Sequence, residues 1–434
     1  MAALCENLGV NEAGHLTFAG QDTAELAKQY ATPLYLLDED RIRKNCRAYT
    51  EAFRAYFPAG SRVLYAAKAN AFAEIFRIVQ QEGLGADVVS CGEIYTAKKA
   101  GFDLSNAYFH SNNKTDEDIR FATENGVGCF VAESEEEILA IAQAAAARGI
   151  RQKVMLRITP GIDPHTYEAI STGKVDSKFG VAIETGQADA VTALALAQQQ
   201  LELVGFHCHV GSQVFDEDVF ERTAVVMLEF LASFRDHYGY TAKELNLGGG
   251  YGVRYLPDDP SYSLSEKLRQ LSAVIGKTCE KLAYPQPAIL MEPGRSIVAD
   301  AGLTLYTVGT VKRIAGYKNY VSVDGGMTDN PRFALYGAIH EVVSASDALA
   351  PRTFRCDVVG RCCESGDVIR TDVLLPETVQ RGDLLAACTT GAYNYSMASN
   401  YNRVPRPPIV MLSGGKSRVA VRRETLEDLV QYDL

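Results

Sequence analysis

The chain has 434 residues, 47% hydrophobic and 22% charged, enough apolar material for two or three domains or for one large barrel with a smaller partner. Lys and Arg number 43 against 54 Asp and Glu, a net charge of −11, and an acidic surface disfavours nucleic acid and anionic membranes as partners. No apolar run approaches the ~20 residues of a membrane helix, the N-terminal MAALCENLGV lacks a secretory pattern, and ten cysteines without CxxC spacing read as a reducing cytoplasm with no zinc ribbon and no metal.

The first ~35 residues contain two strand-like stretches, HLTFAG and TPLYLLD. From there to about residue 300, short apolar runs alternate with helical patterns. Strands are predicted at 63–67, 86–90, 106–110, 127–131, 153–158, 203–208, 243–247 and 288–291, with helices such as 92–100, 134–148, 216–238 and 263–282 between them. The helix at 134–148 opens on SEEE, where Ser134 can cap free N–H groups and the carboxylates suit the positive end of the dipole. Eight strands alternating with helices predict an α/β fold, a (β/α)8 TIM barrel over 36–300. A doubly wound open sheet alternates in the same way, but the GxGxxG of its dinucleotide-binding form is missing from 63–80. Beyond 300 the texture changes. Strands at 303–314, 319–324, 354–359, 367–374 and 383–388 follow one another with little helix, which predicts a mostly antiparallel β domain over 301–434, joined by 1–35.

Barrel enzymes carry their chemistry at the C-terminal ends of the strands. Here the first strand ends at Lys68, the sixth at His209-Val210-Gly211-Ser212, the seventh at Gly248-Gly249-Gly250 and the eighth at Glu292-Pro293-Gly294-Arg295. An amine, an imidazole, a glycine turn and a carboxylate–arginine pair thus share one rim. Each has an ordinary reading: a solvated lysine, a structural histidine, a loop, a common turn. Lys68 is the least ordinary, because it lies in the apolar run VLYAAKANAF, where desolvation would depress its pKa and favour a nucleophilic free amine.

At these residues the chain resembles the fold-type III PLP-dependent decarboxylases, the ornithine, arginine and diaminopimelate group, and within it the diaminopimelate decarboxylase family. The matching segments are YAAKAN (65–70), GADVVSCGE (85–93), DPHTYEAISTGKVDSKFG (163–180), HCHVGSQ (207–213), LGGGYG (247–252), MEPGRSIV (291–298), DGGMTDNPRFALYGA (324–338), CESGD (363–367) and GAYNYSMASNYN (391–402). The resemblance implies pyridoxal 5'-phosphate as cofactor, bonded to Lys68, with His209 stacked on its ring and Glu292 paired with the ring nitrogen. Ser212, Gly250 and the backbone of Gly294 and Arg295 would hold the phosphate. Tyr393 would contact the phosphate or the substrate. Arg295, Arg332, Tyr336 and Glu364 would bind substrate. Cys363 would donate the proton, supplied by the second subunit of a homodimer whose active site is shared.

These residue types suit the chemistry. A carboxylate at the ring nitrogen keeps it protonated, which makes the ring a better electron sink. A thiol of ordinary pKa ~8.5 is mostly protonated at neutral pH and can act as an acid. The sequence alone does not choose between Cys362 and Cys363; the CESGD match picks Cys363, whose plain alternative is a structural cysteine. meso-Diaminopimelate carries a second ammonium and carboxylate, which Glu364 and Arg332 with Arg295 would match, unless Arg332 and Glu364 merely form a structural salt bridge. The product would be L-lysine, the end of its biosynthesis. Rivals are a racemase of similar fold, against which Glu292 argues; a decarboxylase of carboxynorspermidine, ornithine or arginine, against which CESGD and the two arginines argue; and a non-catalytic PLP-binding protein. The segment at 160–180 stands as a possible cover for the site.

Overall fold

Runs such as Val63–Ala66 and Cys129–Ala132 are apolar at every position, as a strand covered on both faces requires. In the computed structural model, which describes residues 4–162, 177–216 and 218–434, these runs are parallel strands of a closed barrel. The DPHTYEAISTGKVDSKFG segment lies mostly outside the described residues, and with it the suggestion of a cover.

The described chain divides into two units, one of Asn45–Gly252 with Tyr262–Ser296, the other of Met1–Lys44, Val253–Ser261 and Ile297–Leu434. The first unit holds the barrel. Its strands are Arg62–Ala66, Gly85–Val88, Ala107–Phe109, Cys129–Ala132, Gln152–Thr159, Leu201–His207, Glu244–Asn246 and Ala288–Met291. Leu290 and Met291 pair in parallel with Arg62 and Val63, closing the ring. A short strand, Val181–Ala182, pairs with the fifth. The helix Glu135–Ala147 starts as the sequence predicts: the Ser134 hydroxyl accepts the Glu137 N–H at 3.2 Å. Ile138, Ile141, Ala142 and Ala145 are its buried stripe, at the spacing of one helix face.

Toward the N-terminal ends of the strands the barrel is filled by Leu64, Tyr108, Cys129, Val131, Met155, Val204 and Leu290. There Glu244 accepts from Arg62 at 2.7 Å and from the Tyr108 hydroxyl at 2.8 Å. Packing and an ion pair thus occupy that end, and chemistry is left to the other.

The second unit is a mostly antiparallel sheet. Its path runs Val368–Pro376, Arg352–Val359, Lys318–Val323, Gly302–Ile314, Leu34–Asp38, Ile409–Ser413 and Lys416–Val421. Leu384–Cys388 pairs with the long strand Gly302–Ile314, and Val342–Ser344 pairs with Leu384–Cys388. Of the two early stretches predicted to join it, TPLYLLD does: Leu34–Asp38 lies between Gly302–Ile314 and Ile409–Ser413. HLTFAG does not. Leu16–Phe18 pairs with Leu8–Val10 and Gln21–Asp22 in a separate sheet, although Leu16 and Phe18 still bury against Leu34, Leu36, Leu303 and Leu305. No helix among the described residues is long and apolar enough to cross a membrane.

Candidate active site

The first barrel strand runs into a single 3₁₀ turn, Ala67–Ala69. Its two alanines are fully buried and Lys68 between them is exposed. The enclosure expected for this residue from its apolar neighbours in sequence is therefore not seen: the turn packs its methyl groups inward and leaves Lys68 exposed at the end of the strand.

The neighbouring turns meet this one backbone to backbone. The Ala66 N–H donates to the Pro293 carbonyl at 3.1 Å. A Cβ on Gly294 would stand 3.0 Å from the Ala66 carbonyl and from the Ala66 and Ala69 methyls, so glycine is what lets the two turns approach. The Glu292 N–H donates to the Gly248 carbonyl at 2.8 Å. A Cβ on Gly250, at φ +128°, would fall 2.3 Å from the Gly211 carbonyl. The turns carrying Lys68, Glu292–Gly294, Gly248–Gly250 and Gly211 are thus contiguous. Arg295, buried, reaches the Ser212 hydroxyl with Nη2 at 3.0 Å and Nε at 3.3 Å.

Glu292 is buried and held by three donors. His110 Nε2 lies 2.7 Å from Oε1, Asn246 Nδ2 donates to Oε1 at 2.6 Å, and His207 Nε2 lies 3.1 Å from Oε2. The Gly248 N–H donates to Asn246 Oδ1 at 2.9 Å, which fixes the amide so that its NH2 faces the carboxylate. Burial alone would raise the Glu292 pKa; the two imidazoles outweigh it and hold the carboxyl well below the usual range. The imidazoles themselves differ. Burial pushes His207 down to about 4, so it is neutral. His110 is also penalised by burial, but Glu292 and Asp87 prevail and raise it. Two imidazoles and a carboxylate within 4.8 Å is a composition that could accept a metal ion. Here the Nε2 of each ring faces a carboxylate oxygen at hydrogen-bond distance, the geometry of donors around an anion.

Lys68 has acidic neighbours. Its charge favours ionisation of both Asp87 and Glu93. Burial nevertheless raises Glu93 to about 7, where it can exchange a proton at physiological pH. His209 is driven well below its ordinary pKa by burial and then by Lys68, so the ring is neutral. Its Nδ1 accepts the Gly249 N–H at 3.3 Å, which ties it to the glycine turn.

In the sheet unit, Arg332 is buried with its guanidinium 5.5 Å from the rings of Tyr336 and Tyr393 and 5.9 Å from that of Tyr255. Tyr393 is a non-glycine residue at φ +60°, a costly conformation. Buried Asn394 secures it by donating to the Thr390 and Ala392 carbonyls at 3.0 and 3.1 Å. Cys363 and Glu364 lie on an exposed turn. Buried Asp367 anchors that turn by accepting the Cys362 and Met327 N–H groups, each at 2.6 Å. The two thiols differ: Cys363 is exposed, whereas Cys362 is half-buried and raised to about 11, by burial and then by Asp367. Glu364 accepts from the Ser365 hydroxyl at 3.1 Å and the Gly366 N–H at 3.2 Å.

Several of these residues carried no role in the sequence reading: His110, His207, Asn246, Asp87, Glu93 and Tyr255. One signal was available. In a strand, residues two apart share a face, so in HCH the side chain of His207 points the same way as that of His209. His110 follows its strand as a lone polar residue after an apolar run, and Asn246 closes its strand beside an apolar residue, weaker marks.

The residues present fit pyridoxal 5'-phosphate. An amine stands at the rim beside a glycine turn, a buried arginine and a neutral imidazole, and Glu292 is a buried carboxylate whose surroundings keep it ionised, as a protonated ring nitrogen requires.

A family model described as pyridoxal-dependent decarboxylase, pyridoxal binding domain, matches residues 39–299. A diaminopimelate decarboxylase of Bacillus subtilis (strain 168) is 43% identical over 426 residues, covering 98% of this chain and 96% of that protein. One from Staphylococcus aureus (strain COL) is 41% identical over 429 residues, covering 98% of both. The crystal structure of diaminopimelate decarboxylase from M. jannaschii in co-complex with L-lysine matches with a TM-score of 0.90 at 34% identity, over 99% of this chain and 98% of that one.

Proposed function

Because this chain belongs to the pyridoxal-dependent decarboxylases, and among them to the diaminopimelate decarboxylase family, we infer that it converts meso-2,6-diaminopimelate to L-lysine and CO2 with pyridoxal 5'-phosphate, the last step of lysine biosynthesis. The observation that carries the reading is the contiguity of the Lys68, Glu292–Gly294 and Gly248–Gly250 turns. The lysine bound in the M. jannaschii relative supports lysine as the product.

When bound, the cofactor supplies an electron sink for the pair that departing CO2 leaves on Cα. Lys68 holds it covalently through its amine. Glu292, kept anionic by its donors, keeps the ring nitrogen protonated. His209, neutral and tethered to Gly249, presents a flat face for stacking. Ser212, Gly250 and the backbone of Gly294 and Arg295 take the phosphate, and Tyr393 contacts the phosphate or the substrate. Glu93, titrating near 7, is suited to exchange protons with the Lys68 amine.

At the substrate's far end, Arg332 and Arg295 bind the carboxylate and Glu364 the ammonium. Tyr255, Tyr336 and Tyr393 limit the orientations open to the Arg332 guanidinium. The C–C bond to the departing carboxylate breaks and a proton takes its place on Cα. Cys363 donates that proton from the second subunit of a homodimer, and its exposure in the single chain is in keeping with a role toward a partner. Ten free cysteines support a reducing, cytoplasmic setting.

The test is CO2 release by purified protein with added PLP, given meso-diaminopimelate, lysine, ornithine and arginine side by side. Turnover of the first, with lysine as product, is expected. Turnover of ornithine or arginine in its place would overturn the substrate assignment.

A further inference from the structure

The carboxylate of Glu292 is surrounded in an unusual way for a group asked only to be negative. Its nearest donors are not backbone amides but two imidazoles and an amide side chain, from the third, sixth and seventh barrel strands or their ends. The rings of His110 and His207 lie edge to face, centroids 4.8 Å apart at 69°. Both are buried, and Asp87 on the second strand is buried beside them, its Oδ1 3.9 Å from His110 Nε2. A buried carboxylate with neutral donors alone would be pushed toward its protonated form by desolvation, and a protonated acid cannot stabilise a cation at a ring nitrogen.

We propose that His110 is a positioning residue that, as a charged imidazolium, keeps Glu292 ionised and aimed for the cofactor's ring nitrogen, while His207 and Asn246 serve as neutral donors that fix its plane. The proposal rests on the reading of Glu292 given above. The two histidines divide the work because their surroundings divide them. His110 has carboxylates on two sides, Glu292 at 2.7 Å and Asp87 at 3.9 Å. His207 has only Glu292, at 3.1 Å. It also feels the repulsion of His110 and Arg157, and its Nδ1 is buried with no hydrogen-bond partner, consistent with a ring that carries its one proton on Nε2. The groups facing His110 are therefore Asp87, Glu292, His207 and, from the fifth strand, Arg157, which opposes its charge. The two acids outweigh burial and Arg157 together. Burial raises the Asp87 carboxyl, and His110 is the strongest of the charges that hold it down in return.

The experiment measures PLP affinity of the full-length chain by equilibrium dialysis between pH 5.5 and 8, for wild type, His110→Gln, Glu292→Gln and the double variant. Glutamine keeps a donor amide without the charge. Glu292→Gln is expected to weaken binding at every pH. His110→Gln is expected to match wild type at pH 8 and to fall behind it as pH drops, by about tenfold for each unit by which Glu292's pKa has risen into the range. In the double variant the histidine change is expected to add nothing, since its effect passes through Glu292. A His110→Gln profile parallel to wild type, or a double variant weakened by the product of the single effects, would overturn the proposal while leaving Glu292's role intact. Unchanged binding in Glu292→Gln would instead overturn the underlying reading. If near-UV circular dichroism shows His110→Gln misfolded, His110→Asn is taken through the same series with the same two outcomes.

Discussion

The backbone N–H of Ala66 donates to the carbonyl of Pro293 at 3.1 Å, and this one bond joins the turn bearing Lys68 to the turn bearing Glu292. It forms where the first and last barrel strands close the ring, with Leu290 opposite Arg62 and Met291 opposite Val63. Barrel closure therefore sets the relation between the amine and the acid. Residues 224 positions apart in sequence, 292 less 68, are held by register and not by a flexible loop.

Gly294→Ala tests that junction. The added Cβ would meet the Ala66 carbonyl and the Ala66 and Ala69 methyls at 3.0 Å, and all three belong to the Lys68 turn or its strand end. Overpacking of this kind costs roughly 1–3 kcal/mol. The variant is expected to fold, to melt lower, and to lose PLP affinity and kcat together. An unaltered cofactor affinity measured by dialysis would show that the two turns do not depend on each other.

Glu93→Gln is expected to change the pH dependence of stability. In the folded chain this carboxyl titrates at about 7, against an ordinary value of 4.5. The folded form thus holds a proton through the window between those values that the unfolded form has released, so stability falls as pH rises through it and levels off above about 7. Glutamine removes that slope. With a discount for partial exposure, the variant should gain about 2 kcal/mol relative to the parent between pH 5 and pH 8. Urea unfolding of cofactor-free protein at both pH values checks this, and an equal difference at the two would refute it.

Arg332→Lys keeps the charge and removes the planar fork that the three tyrosines surround. Loss of about 1.5–3 kcal/mol of charged hydrogen bonding corresponds to a rise in KM for meso-diaminopimelate of roughly tenfold to a hundredfold. PLP affinity should not move. Steady-state kinetics beside a PLP titration separate the two, and an unchanged KM would remove Arg332 from the substrate.

The barrel was legible because its strands are largely apolar runs of three to eight residues punctuated by helices, and the parallel pattern leaves few alternatives. The hairpin Ile409–Ser413 and Lys416–Val421 went unpredicted, although Gly414-Gly415 between two alternating runs marks a tight turn and both glycines have positive φ. Lys68, His209 and Glu292 could be singled out because each follows a strand directly. His110 and Asn246 could not be given a role, because what defines them is a shared partner far away in sequence. The exposure of Lys68 was misread for a related reason: an apolar neighbourhood in sequence does not say which side of a turn each residue takes.

A shared site makes a prediction about mixtures. Lys68→Ala and Cys363→Ala are each expected to be inactive, and mixing them under conditions that allow subunit exchange should restore part of the activity through hybrid dimers with one intact site. Exchange shown by mass spectrometry without any recovery would rule out donation across the interface.

The most direct measurement is chemical. Protein loaded with PLP is reduced with borohydride, digested, and the labelled peptide located by mass spectrometry. The cofactor is predicted on Lys68, within VLYAAKANAF, and the label is predicted to vanish in Lys68→Ala. A label on any other lysine, or none at all on protein that retains PLP, would contradict the assignment of this amine.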